Sequence, residues 1–180
     1  VTNDLLKQQT GLIIAGIEQD KVSLMRPKNT KFLSLSQLRI VVSLFIAGKE
    51  RVTDIQANEL NPNQITKRLA LMNAWLEELF ILESPQVIGN YEISILANFT
   101  VIRGLVYYAL EGEQAIKEED KERYIRERMK NLSHISWESR QPLWEQFDGK
   151  YRSRSQLYII ESSKNTVLKV KQWLIREGGD

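Results

Sequence analysis

Between Asn61 and Ser84 the chain carries a pattern that a long α-helix accommodates and a strand does not. Ile65, Leu69, Met72, Leu76, Leu79 and Phe80 recur at helical spacing and make one apolar stripe. Lys67, Arg68, Asn73 and Glu77 fall largely off that stripe. Asn61 is a strong N-cap, and Pro62 loses nothing at the first helical position, where its missing N–H has no intrahelical partner. Ser84-Pro85 ends the run. A helix with one wet face and one apolar face has to bury the latter against other elements, so this segment sets the architecture for its neighbours.

Those neighbours also read as helices. Leu5, Leu6, Leu12, Ile13 and Ile17 predict a first helix with Gly11 as its weak point. Lys21 to Lys31 reads as a loop or short strand around Pro27. Ser34 or Ser36 caps a helix carrying Leu38, Val41, Val42, Phe45 and Ile46, and Gly48 stands where its C-terminal cap belongs. Val52 to Leu60 reads as a short helix or a linker. Asn90 is expected to cap a second long helix bearing Ile93, Leu96, Ala97, Val101, Leu105 and Tyr108, with Gly104 allowing close packing or a bend. Gln114 to Leu132 is a charged helix with Ile116, Tyr124, Ile125 and Met129 as its buried edge. Ser133 to Ser155 is irregular, Leu157 to Ile160 is a short strand, and Ser163 caps a last helix that Gly178-Gly179 ends. The expected class is mainly α: one helical domain over residues 1–180, of about six to seven helices, with at most a short strand or hairpin near the C-terminus.

Several function classes find no support. Among the 180 residues are no cysteines and a single histidine, His134, so thiolate metal sites, a cysteine nucleophile and a multi-histidine centre are excluded. Gly11 to Gly16 lacks the Lys-Ser/Thr ending of a phosphate loop and lies in an apolar stretch. Glu118-Glu119-Asp120 occupies adjacent helical positions that point different ways, so a solvated face is expected rather than a cation site. No serine sits in a nucleophile elbow, and Glu138 and Glu145 lack a glycosidase context. The expectation is a non-enzyme without cofactor or metal. No apolar run approaches the ~18–20 residues a membrane span needs. With no cysteine, a cytoplasmic setting is expected. The opening Val1-Thr2-Asn3-Asp4, without an initiator Met, reads as the start of a piece of a longer protein.

The net charge of +2 means that any nucleic-acid affinity must come from a local patch. The candidate is the tract after Gly149. Lys150, Arg152 and Arg154 alternate, so an extended backbone turns all three the same way, where they could track the phosphates of duplex DNA. Lys164 and Lys169 extend the tract, followed by Lys171 and Arg176, and Tyr151 either packs or stacks beside it. The competing reading is a solubilising surface. A helix-turn-helix regulator is a further alternative: Ser36 to Gly48, Thr53 to Leu60 and Pro62 to Phe80 stand in the right order, with Gln64, Lys67, Arg68 and Asn73 facing a groove. The large apolar residues of the helices also suit a protein-interaction or oligomerisation domain without nucleic-acid binding.

Three further landmarks lie near the end: Trp137, then Pro142 with Trp144, then Gly149-Lys150, followed by the Asn165-Thr166 turn. With the segment Lys31 to Leu38 and the pair Ala74-Trp75, they resemble the C-terminal region of the DGQHR-domain proteins, the group holding the DndB-like proteins of bacterial DNA sulfur modification. The naming DGQHR motif is absent here and would lie in a preceding domain, and Tyr91 to Gly112 matches loosely. The resemblance implies a DNA-linked accessory or regulatory module of a phosphorothioation system, with other proteins of that system as partners, rather than a sulfur-transfer enzyme.

Overall fold

The computed structural model describes residues 9–18, 30–52 and 59–179. Among these residues six α-helices are joined by short 3₁₀ turns and two two-stranded sheets, the mainly helical class expected. In chain order they are α1 (Thr10–Ala15), β1 (Ile17–Glu18), β2 (Leu33–Ser34), α2 (Leu35–Ala47), α3 (Pro62–Leu82), α4 (Phe99–Leu110), α5 (Lys121–Lys130), β3 (Gly149–Arg152), β4 (Leu157–Ile160) and α6 (Lys164–Gly178).

Side-chain caps set most helix starts. Ser34 accepts from the Gln37 amide while the Gln37 side chain accepts from the Ser34 amide, a reciprocal box that opens α2. Gly48 closes α2 at φ 67°, a left-handed conformation that suits a residue without Cβ. Asn61 accepts from the Asn63 amide at 2.9 Å above Pro62, and Ser163 accepts from Thr166 at 3.1 Å to open α6. These are the caps the sequence predicts.

Helix α3 is the hub, packing against α1, α2 and α5. Its stripe is wider than the sequence reading, since Leu71, Ala74, Trp75 and even Glu78 are buried along with Met72, Leu76 and Leu79. Glu78 is tolerated there because Arg126 of α5 donates to it at 3.3 Å, with Lys130 at 3.9 Å. Helix α4 packs most closely on α6. Gly104 makes that approach possible: a Cβ there would lie 2.5 Å from Val170 Cγ1. Trp137, Trp144, Trp173 and Phe147 cluster at the α6 end of the core. The Trp144 and Trp173 rings meet edge to face at 5.5 Å, and Trp137 lies nearly parallel to Trp144. The segment Ile135 to Phe147 is thus irregular in backbone yet anchored by aromatic burial.

Three expectations are corrected. Asn90 does not cap a long helix: its side chain accepts from Glu92 in a local turn, and the helix α4 begins at Asn98, which accepts from Thr100. The intervening backbone is drawn off by the aromatic segment, with Ile95 N–H donating to Trp137 and Ser139 N–H donating to Ile93, which leaves the Ile93 side chain exposed. The charged helix starts at Lys121 rather than Gln114, because Gly112 at φ 76° and the extended Lys117 break the run into two 3₁₀ turns first. Ile17 belongs to β1, because Gly16 at φ 80° ends α1 one residue earlier. A two-residue parallel pair, Ile17 with Leu33 and Glu18 with Ser34, is an element the sequence did not announce. The expected Leu5–Leu6 turn of the first helix, most of the Lys21 to Lys31 loop and most of Val52 to Leu60 lie outside the described residues.

Candidate nucleic-acid interface

The basic tract forms an antiparallel hairpin. Lys150 faces Ile159, Tyr151 faces Tyr158, and Arg152 faces Leu157. β4 is the inner strand: Leu157 packs with Tyr91 and Ala97, and Ile160 joins the main core. β3 is the outer strand, and each of its four residues is exposed. Cross-strand pairs share a face, so Lys150 and Arg152 lie on one side of the ribbon and Tyr151 with Tyr158 on the other. Arg154 sits in the exposed turn 153–156, which Gln156 closes at φ 56°.

The two faces differ electrically. On the Tyr158 side, burial raises the phenol's pKa, and the carboxylates of Asp148, Glu145 and Glu161 raise it further. Lys150, Arg152, Arg154 and Lys164 have no carboxylate within ion-pairing distance among the described residues. Lys169 does: Asp148 lies 2.7 Å from its Nζ, so its charge is locally offset. Tyr151 is 56% exposed, so it is not a core residue, but it projects from the ribbon face opposite Lys150 and Arg152. Positive charge on an outermost strand also blocks pairing with a second sheet edge, so the same residues serve solubility.

The cation-bearing face borders a cleft of about 670 Å³. The hairpin supplies Lys150, Arg152 and Ile159; the start of α2 supplies Ser34 and Gln37; the start of α4 supplies Phe99. Asn98 and Thr100 lock this corner, with Asn98 donating to the Ile160 carbonyl at 3.2 Å and the Thr100 hydroxyl to the Glu161 carbonyl at 3.1 Å. Two helices thus begin at the cleft, and helix N-termini favour negative charge. Sequence reading found the cations but not the cleft. The α2 and α4 residues lie roughly 50–120 positions upstream in the chain, and no local pattern links them to the hairpin.

A second cleft, of about 710 Å³, lies between α2, α3 and the end of α4. It contains Gln64, Lys67 and Arg68 of the helix-turn-helix alternative. Arg68 is turned inward, donating through Nε to the Phe45 carbonyl at 2.6 Å and through Nη1 to Glu113 at 2.7 Å. Lys121 reaches the other Glu113 oxygen at 2.8 Å. Burial pushes the Glu113 carboxyl up, but contacts from Lys121 and Arg68 outweigh it and hold the pKa below the ordinary carboxylate value. Nearby, Glu50 accepts from Arg103 and from Tyr107, whose phenol is raised by burial first and by Glu50 second. Arg68 is therefore committed to internal neutralisation, and Asn73 is half-buried, so the four residues do not present one free face. Most of the middle helix of that alternative lies outside the described residues.

Among the described residues no group of three or more acidic or histidine side chains could hold a metal, and no helix is long and apolar enough to cross a membrane. No family model matches the chain, and no curated protein or solved structure does either.

Proposed function

We propose that this chain is a non-enzymatic, DNA-linked accessory or regulatory module, in keeping with its resemblance to DndB-like proteins, and that Lys150, Arg152, Arg154 and Lys164 meet backbone phosphates. The observation that carries the reading is a group of neighbouring exposed cations without a carboxylate partner among the described residues. Arg68 and Lys121 beside the second cleft, Arg103 of α4 and Arg126 of α5 are each spent on carboxylates. Lys150 and Arg152 on the exposed outer strand, and Arg154 in the turn after it, have no carboxylate partner among the described residues. Phosphates attract an unpaired, solvated cation far more than one already bound to an acid, because no internal partner has to be released first.

The test is a mobility shift with duplex DNA across a salt series. Binding is expected at low salt and should fall steeply as salt rises, with a slope near −0.9 per phosphate contacted. Replacing Lys150, Arg152 and Arg154 by Gln should weaken binding and flatten the slope by up to about three charges. Binding that ignores salt, or a triple variant equal to the parent at every salt concentration, overturns the assignment.

A second reading, a protein-interaction or oligomerisation surface, is favoured by Ile13, Ile14 and Ile81, which are exposed apolar side chains on two helices in contact. Sedimentation separates the two: a monomer at high protein concentration removes self-association.

A further inference from the structure

We infer that the cleft beside the hairpin receives one unpaired nucleotide of a nucleic-acid strand, its phosphate at Lys150 and Arg152 and its base against the apolar wall formed by Phe99 and Ile159. The inference rests on the phosphate reading above and adds the form of nucleic acid. Phosphate contact alone needs only exposed cations that reach the backbone and calls for no pocket beside them. Here Lys150 and Arg152 also stand at the border of a concavity of about 670 Å³. That falls within the ~300–1,000 Å³ of small-ligand pockets. A duplex about twenty ångströms across cannot enter it, and the bases of a duplex keep their faces stacked inside the helix.

The wall composition points the same way. Phe99 is half-buried, Ile159 is half-buried, and Ala97 closes the wall below them. An apolar wall adds nothing for a bare phosphate but covers the face of an unstacked base, and base–side-chain stacking is tolerant of base identity. Among the described residues Glu161 is the one carboxylate lining the cleft. Like-charge repulsion keeps the phosphate toward Lys150 and Arg152, and a carboxylate is an acceptor for the amino group of a base. Cations for the phosphate and an apolar wall for the base thus line one cleft, with Ile159 directly across the ribbon from Lys150. The starts of α2 and α4 add a favourable field for the anion.

The experiment compares three fluorescent oligonucleotides by anisotropy at one salt concentration: a blunt duplex, the same sequence single-stranded, and a single strand of abasic sites with the same phosphates. The single strand should bind at least about tenfold tighter than the duplex, which is within what one stacked base supplies. The abasic strand should fall back to within about twofold of the duplex. Ser162→Trp, which fills the cleft from an exposed position and leaves Lys150 and Arg152 in place, should remove the preference while keeping duplex binding. The abasic arm needs no variant, so a misfolded Ser162→Trp protein leaves the test intact. Salt-sensitive duplex binding without preference for the single strand, or an abasic strand that binds as tightly as the base-bearing one, overturns the cleft and spares the phosphate reading. Tight single-strand binding with no duplex binding upholds the cleft and overturns the duplex reading. No binding to any of the three overturns both.

Discussion

Gly104→Ala should destabilise this protein even though alanine is the better helix former. The substitution removes the conformational freedom of a glycine in the middle of α4, which by itself stabilises by about 1 kcal/mol. Against it stands the contact with α6. The new Cβ would lie 2.5 Å from Val170 Cγ1 and 2.9 Å from Val170 Cβ, nearer than such atoms approach. Val170 is completely buried and β-branched, so it has no alternative rotamer into which to retreat. The helices must therefore separate or Val170 must strain, and overpacking of this kind costs about 1–3 kcal/mol. The net expectation is a loss of about 1 kcal/mol, or about 2–4 °C in Tm for a chain of this size. Because the two terms are close, the decisive measurement is a double-mutant cycle. In a Val170→Ala background the 2.5 Å contact with Cγ1 is gone and only the 2.9 Å contact with Cβ remains, so Gly104→Ala should be less destabilising there than in the parent by about 1 kcal/mol. Guanidinium unfolding followed by far-UV circular dichroism gives all four free energies, with a constant m-value as the check on two-state behaviour. If Gly104→Ala has the same sign and size in both backgrounds, the close helix approach does not govern this position and the reasoning fails.

Trp144→Ala should lose about 3–5 kcal/mol, because the ring is fully buried among Trp137, Trp173 and the surrounding core; thermal unfolding measures it, and a loss below about 1 kcal/mol would contradict the burial. Trp144→Phe should cost about 1 kcal/mol more than Trp75→Phe, since the Trp144 indole donates to the Glu138 carbonyl at 2.7 Å while the buried Trp75 indole N–H has no partner among the described residues; equal losses in chemical unfolding would refute the distinction. Glu113→Gln should destabilise toward the lower end of the ~3–5 kcal/mol seen when one partner of a buried ion pair is removed, because Arg68 and Lys121 keep some solvent contact. Its folded pKa is lowered, so its contribution is present above the unfolded carboxylate pKa of about 4.3 and is lost as pH falls through the folded value; the parent and the Gln variant should converge in stability in that acid window and differ fully at neutral pH. Replacing Lys150, Arg152 and Arg154 by Gln should change stability by no more than about 0.5 kcal/mol, since all three are exposed and unpaired; a larger loss in the same unfolding assay would make the tract structural.

What the chain determined by itself is local. Helix starts at Ser34, Asn61 and Ser163 were legible because a cap is an interaction between a side chain and an amide two or three residues away, complete within one short segment. The stripe of α3 and the strand Leu157–Ile160 were legible because periodicity needs only neighbours. The cations of β3 were also visible, and their alternation set Lys150 and Arg152 on one side of the hairpin. The failures have the opposite character. Nothing near Asn90 announces that the backbone at Ile93 and Ile95 will pair with Trp137 and Ser139, more than forty residues onward, and that pairing displaced the start of α4 to Asn98. Nothing local tells Arg68, which Glu113 and the Phe45 carbonyl draw inward, from Arg152, which is exposed and has no carboxylate partner among the described residues. The two look alike in sequence, but the charge available at the surface depends on which carboxylates the packing brings within reach. The cleft is the extreme case: three elements distant in the chain make its walls, so its shape and its mixture of apolar and cationic surface exist only once α2, α4 and the hairpin have met.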